Sequence, residues 1–310
     1  MTKKHEVSDL ADVLTPGPWS HKMISANGSR FHVACIGDDD APLVVFLHGF
    51  GQLWSAWREV LPAVAAAGYR AVAMDLRGSG ASDKPPRGYD MPNLARDVTA
   101  VISSLGARQA VVIGQGLGGE LAWALRALGP RETFAVAALS APHPLRLRRR
   151  PGKLMSRWAR KRVRQFQIPI WPDKALAQGD LMRTLLREWG APGWQDHEAL
   201  RIYQTANALP TAAYGSLEKV RWLVRSTLRT DGRRYRSALG APSAVPVLQV
   251  HGALDGAYPV RSARTPAVTP GLGEQYKYVE LPGAGHFLSD EAPVELGEIL
   301  VEWLSSLGRW

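Results

Sequence analysis

The chain of 310 residues contains one cysteine, Cys35. That excludes an internal disulfide framework and a metal cluster built on several thiolates. The histidines nowhere form an HxxxH or HExxH pair, so no metal site is expected. Long apolar runs are missing as well: Val60 to Met74 is interrupted by Pro62, Gly68 and Arg70, short of the roughly 20 apolar residues a membrane-spanning helix needs. The opening MTKKHEVSDLADVL has neither an apolar targeting core nor a small-residue cleavage pattern. The expectation is a cytoplasmic protein. Acid is lacking in one stretch: Arg146 to Arg164 holds ten Lys or Arg and no Asp or Glu, in a chain of net charge +10.

What is present alternates. Arg30 to Ile36, Leu43 to Leu47, Ala71 to Met74, Ala110 to Ile113 and Phe134 to Leu139 are apolar runs of strand length, the pattern of strands buried on both faces of a parallel sheet. Helical segments separate them. Leu94, Val98, Val101 and Leu105 share one face of a helix predicted over Met91 to Leu105, and Gly106 stops it. Alternation resumes with Val245 to Val250, Tyr276 to Leu281 and a last helix carrying Leu296, Leu300, Trp303 and Leu307 on one stripe. The fold class is therefore α/β, with a mostly parallel central sheet flanked by helices. Between them, 145–240 is helical, basic and rich in Trp, and is expected to be an inserted cap or lid. The division predicted is a tail over 1–18, a core domain over 19–144 and 241–310, and the cap.

Residues 114 to 119 read GQGLGG, between the apolar run Ala110 to Ile113 and the helix-like ELAWALRAL. Strand, tight turn and helix is the setting in which many enzymes expose a nucleophile, and none stands here: Gly116 is central, and Gln115, Leu117 and Gly118 cannot attack. Glu120 lies about a turn further on, where an acid suits the positive end of a helix. Other motifs follow strands in a fixed order: HGFGQLWSAW from His48, DLRGSGASDKPPRGYD from Asp75, APHP from Ala141, HGALD from His251 and GAGHF from Gly283.

Together these motifs resemble the α/β-hydrolase superfamily, and within it the epoxide-hydrolase-like branch, over nearly the whole chain from about Trp19 to Leu307. The resemblance implies the α/β-hydrolase fold with a helical cap. It makes Asp255 the charge-relay acid and His286 the general base, gives the oxyanion hole to the backbone N–H groups of Phe50 and Leu117, and puts Gly116 where the family carries Ser or Asp. A carboxylate beside a histidine fixes its tautomer and stabilises the imidazolium, which is the chemistry these two positions need. The family also protonates a departing epoxide oxygen with cap tyrosines; Val220 stands at one such place and Phe166 near the other. His48, Phe166, Tyr203, Tyr214 and Val220 are the expected pocket residues. Replacement of the family's HGxP proline by Gly51 predicts a looser loop before the first helix.

The function expected is a hydrolase acting on a small apolar ester, lactone or epoxide through water activated by His286 and Asp255. The alternative is a non-catalytic relative that binds an apolar ligand, or docks an acidic protein or an anionic membrane surface through its basic cap. Lys153, Arg157, Arg160, Lys161 and Arg164 are predicted to line one face of a helix following Pro151-Gly152, with Leu154, Met155 and Trp158 off that face. Gly114, Gly116 and Gly119 also match a dinucleotide-binding GxGxxG. That site needs an acid at the end of the next strand, which ends instead at Leu139-Ser140. No cofactor is expected, and no nucleic acid, since no recognition motif accompanies the basic run.

Overall fold

Apolar segments pair into one sheet: β1 (Ser20–Ala26), β2 (Ser29–Ile36), β3 (Leu43–Leu47), β4 (Arg70–Met74), β5 (Ala110–Gln115), β6 (Thr133–Leu139), β7 (Val247–Gly252) and β8 (Tyr276–Leu281). This computed structural model describes residues 10–149, 151–266, 269, 272, 275–308 and 310. The order across the sheet is β1-β2-β4-β3-β5-β6-β7-β8; β2 runs antiparallel to β1 and β4, and every other pairing is parallel. β3, β4, β5 and β7 are buried at every residue, because helices cover both sheet faces. The sequence reading missed β1. As an edge strand whose residues SHKMISA alternate between partly covered and exposed, it offers no apolar run. β7 starts later than predicted, at Val247, since Pro246 has no N–H to give to a ladder.

The core helices are α1 (Leu61–Ala66), α2 (Met91–Ser104) and α3 (Leu117–Leu128). Asp90 caps α2 by accepting from the Asn93 N–H at 2.9 Å. Between β6 and β7 run α4 (Pro144–Arg149), α5 (Pro151–Leu154), α6 (Arg157–Phe166), α7 (Trp171–Ala177), α8 (Asp180–Trp189), α9 (His197–Ala208), α10 (Ala212–Arg225) and α11 (Thr230–Leu239). After β7 come α12 (Val260–Ala263), α13 (Leu288–Glu291) and α14 (Pro293–Ser306). Among the described residues no helix is long and apolar enough to cross a membrane.

Two expectations need correction. The basic stretch is not one helix: α5 ends at Leu154, and Ser156 starts α6 by accepting from the Ala159 N–H at 3.1 Å, so Lys153 stands apart from the cations of α6. Part of the tail also packs, since Val13 is buried and its carbonyl accepts from Trp54 Nε1 at 2.9 Å.

The DLRGSG motif explains how the first loops are held. The buried Asp75 carboxylate accepts from the N–H groups of Trp54 (2.8 Å) and Ala81 (2.9 Å) and meets His32 Nδ1 at 2.8 Å. From α10, the buried Lys219 ammonium donates to the Arg77 carbonyl at 2.7 Å and to Ser79 Oγ at 2.8 Å, tying the helical insert to this loop. Burial pulls Lys219 down to about 7.

Candidate active site

Loops at the carboxyl ends of β3, β5, β7 and β8 bring Phe50, Gly116, Asp255 and His286 to one end of the sheet, where α/β proteins place ligands. His286 Nδ1 lies 3.0 Å from Asp255 Oδ2. An ionised carboxylate can only accept, so Nδ1 carries the proton and Nε2 of the neutral ring keeps its lone pair. Asp255 Oδ1 accepts from the N–H groups of Ala257 (2.7 Å) and Tyr258 (2.8 Å). His251 Nε2 donates to the Tyr258 carbonyl at 2.7 Å and stands 3.3 Å from Asp255 Oδ2. The carboxylate is thereby fixed on several sides.

Two residues to which the sequence reading gave no role at the site, Trp189 and Glu291, hold the His286 loop. The Trp189 carbonyl, at the end of α8, accepts from the Gly256 N–H at 2.9 Å and the His286 N–H at 3.1 Å, clamping both loops at once. Its indole meets the imidazole edge-on, with centroids 5.4 Å apart. Glu291 in α13 accepts from the N–H groups of Ala191 (2.9 Å), Gly285 (2.7 Å) and Phe287 (2.7 Å). Burial raises its carboxyl above the ordinary range, with these three donors opposing.

Opposite the imidazole, the turn at Gly116 has φ 54 and ψ −111, a conformation that strains any residue with a Cβ. The Gly116 N–H donates to the Leu139 carbonyl at 2.8 Å, which fixes the turn against β6. A Cβ built on Gly116 would stand 3.2 Å from His286 Nε2, with its next neighbour, Gly49 Cα, at 3.8 Å. A side chain here would point straight at the free nitrogen of the ring. Among the described residues, the N–H groups of Phe50 and Leu117 have no hydrogen-bond acceptor. Gln115 Oε1 accepts from the Ser289 N–H at 3.0 Å, and Gln115 Nε2 donates to Gln52 Oε1 at 3.2 Å. Gln52 Oε1 accepts in turn from the Gly49 N–H at 3.0 Å, so the turn is braced to both neighbouring loops.

The family profile described as alpha/beta hydrolase fold matches residues 42–293. The chain belongs to the α/β-hydrolase fold family, on its epoxide-hydrolase-like branch. Epoxide hydrolase A of Mycobacterium tuberculosis is 30% identical over 322 aligned residues, which span 94% of this chain and 99% of that protein. Among solved structures, epoxide hydrolase A from Mycobacterium thermoresistibile superposes with a TM-score of 0.76 at 28% identity, over 94% of this chain and 100% of its own. An epoxide hydrolase from an endophytic Streptomyces gives a TM-score of 0.77 at 28% identity, over 94% and 97%.

In this α/β hydrolase a cavity of about 740 Å³ leads from the surface of the insert down to Gly116, Leu117, Phe50 and His286. Phe166 and Val220 line it from the insert, Phe166 stacked on Phe50 with centroids 4.9 Å apart. Three expected pocket residues lie elsewhere. His48 is buried beneath its loop; its Nδ1 donates to the Gly49 carbonyl at 2.8 Å and its Nε2 accepts from the Leu76 N–H at 3.1 Å, while burial pulls it down to about 4. Tyr203 is spent on Asp290, its hydroxyl 2.7 Å from Oδ2. Tyr214 is partly exposed and packs edge-on against Tyr89. Sequence gives no direction for an aromatic side chain, which is why these assignments failed.

Gly51 also differs from expectation. Its φ of 70 is closed to proline, and Asn207 Nδ2 donates to its carbonyl at 2.6 Å, so the loop is anchored without the ring. Among the polar residues the structure adds to the cavity are Tyr258 and Glu120. Tyr258, three residues past Asp255, is its one tyrosine, with its ring centroid 5.8 Å from that of His286. Glu120 lines the cavity instead of facing only its own helix end, with Oε1 3.7 Å from Arg148 Nη2. Burial raises the Glu120 carboxyl, against the opposing pull of Arg148.

Proposed function

We propose that this α/β hydrolase cleaves a small apolar ester or lactone by direct attack of water, with His286 as general base and Asp255 as its partner. The observation that carries this reading is the 3.2 Å between a Cβ built on Gly116 and His286 Nε2. The space left by the absent nucleophile lies against the one ring nitrogen that can take a proton, and a water there fills the role a side chain would have had. Wall chemistry favours an apolar substrate, since Phe50, Leu117, Phe166 and Val220 line the cavity with Gly116 and His286.

In the reaction, Nε2 takes a proton as the water oxygen attacks the acyl carbon. The oxyanion that forms is met by the N–H groups of Phe50 and Leu117. Nε2–H then protonates the departing alkoxide as the tetrahedral carbon collapses, leaving acid and alcohol. Asp255 stabilises the imidazolium throughout. Epoxides need an acid on the ring oxygen. Val220 and Phe166 carry none, and Tyr258 is the one cavity tyrosine that could serve, so ester and lactone are placed first.

The test is hydrolysis of a panel of short esters, lactones and epoxides by the wild type, His286→Ala and Tyr258→Phe. Ester or lactone turnover that falls by about 10²-fold or more in His286→Ala agrees with general-base catalysis. Turnover unchanged in that variant rules out His286 as the base, and turnover absent from the wild type rules out hydrolysis and leaves ligand binding without chemistry.

A further inference from the structure

The mouth of the cavity is both cationic and apolar. Arg157, Arg160 and Arg164 of α6 line it together with Val224 of α10. Among the described residues, no carboxylate lies within ion-pair distance of Arg157, Arg160, Lys161 or Arg164, whereas nearby acids are engaged: Glu188 by Arg162, and Asp173 and Glu218 by Arg221. Arg160 Nη1 donates to the Gly152 carbonyl at 2.8 Å, and none of the four charges is neutralised by a carboxylate.

Scattered exposed apolar side chains are ordinary on a solvated face, but several large ones on one basic insert call for an explanation. Trp158 (38% exposed) at the start of α6, Ile168 (49%) and Ile170 (66%) between α6 and α7, Trp171 (48%) at the start of α7, and Val224 (39%) and Leu228 (87%) at the end of α10 and just beyond it are exposed on the insert. Hydrogen bonds join their supports: Arg225 Nη2 donates to the Gln167 carbonyl at 3.1 Å and Arg221 Nη2 to the Ile168 carbonyl at 3.0 Å, fastening the turn after α6 to the end of α10. Trp158 is flanked by two of the cations, with the Arg157 guanidinium 4.5 Å and the Lys161 ammonium 5.8 Å from its ring. Ile170 adds an independent sign. Its φ of 67 is a rare and strained state for a β-branched residue, and the side chain it carries is left in the open beside Trp171.

We propose that this face docks on an anionic phospholipid surface, with Trp158, Ile170 and Trp171 in the boundary between headgroups and acyl chains and the α6 cations on the phosphates. Cations near such a surface are drawn to its anionic headgroups, and amphipathic surfaces of this composition lie in the interface without spanning it. Docking turns the cavity mouth toward the bilayer, so an apolar ligand passes from lipid to Gly116 and His286 without crossing water. The docking claim itself rests on nothing in the catalytic reading and is tested without turnover.

The experiment is co-sedimentation of the full chain with vesicles of phosphatidylcholine alone, and with about 30% phosphatidylglycerol added. Binding is expected only to the anionic vesicles. Arg157→Glu/Lys161→Glu/Arg164→Glu should weaken it by about tenfold or more, and Ile170→Ser/Trp171→Ser should weaken it with net charge unchanged. Arg108→Glu/Arg131→Glu, at the opposite end of the sheet, should leave it intact, which separates the face from bulk charge. Thermal melts show that each variant is folded. No sedimentation with anionic vesicles overturns the proposal. So does equal loss in all three variants, or binding to an acidic protein by a chain indifferent to both kinds of vesicle.

Discussion

The two sides of the cavity floor differ in what they keep. On the imidazole side, Asp255 and His286 are both present and over-determined: Asp255 by two backbone donors, the His286 loop by Glu291 and the Trp189 carbonyl. On the turn side there is a fixed backbone geometry and, at Gly116, no side chain. Gly116 could relax out of φ 54, yet it stays there, because its N–H is tied to Leu139 and Gln115 is tied to Ser289 and Gln52. The turn's geometry is thus held by its hydrogen bonds. It does not depend on the residue at its centre.

The comparison breaks most visibly if the imidazole side is removed. His286→Ala should lower kcat/KM for the best ester by about 10²- to 10⁴-fold, measured alongside a melt that shows the fold kept. Asp255→Ala should cost about 3 kcal/mol or more in urea unfolding, since two backbone N–H groups and the His286 Nδ1–H lose their acceptor in a buried place. Gly116→Ser sharpens the contrast from the other side. It should lose about 1–3 kcal/mol of stability through strain at positive φ, while gaining esterase rate from a hydroxyl beside Nε2.

Acid titration separates the two sides with a smaller effect. Burial holds His48, under the turn-side loop, down to about 4, and His143 down to about 3. A lowered folded-state value means the unfolded chain binds protons first, so stability falls as pH drops from about 6.5 toward 4, by up to about 1.4 kcal/mol per pH unit for each group. Asp290, next to the His286 loop, acts in reverse: burial raises it to about 7, although Arg58 opposes from 3.3 Å. Its contribution is present at low pH and is lost as pH rises from about 4 to 7. Asp290→Asn should therefore steepen the loss of stability toward acid, read from urea unfolding at a series of pH values. Smallest of all, Tyr214→Ala should change stability by no more than about 0.5 kcal/mol and leave ester hydrolysis untouched, since it is partly exposed and does not line the cavity.

Much of this was legible in the residues. Strands buried on both faces announce themselves as apolar runs, and loops at their carboxyl ends put Asp255 and His286 together by topology alone. β1 was not legible, because an edge strand carries no continuous apolar signal. Trp189 and Glu291 were not either, since one acts through its carbonyl and the other through backbone donors, and neither use leaves a mark on residue type. The basic stretch misled in a different way: its helical spacing ran through a break set by the Ser156 cap.

The most direct test is intact-mass spectrometry of the wild type, quenched while an ester is being turned over, with Gly116→Ser in parallel. Direct attack by water predicts unmodified wild-type protein as product accumulates, and an acylated fraction in the serine variant. Wild-type protein carrying the mass of the acyl group, or product formed at the same rate without His286, would contradict it.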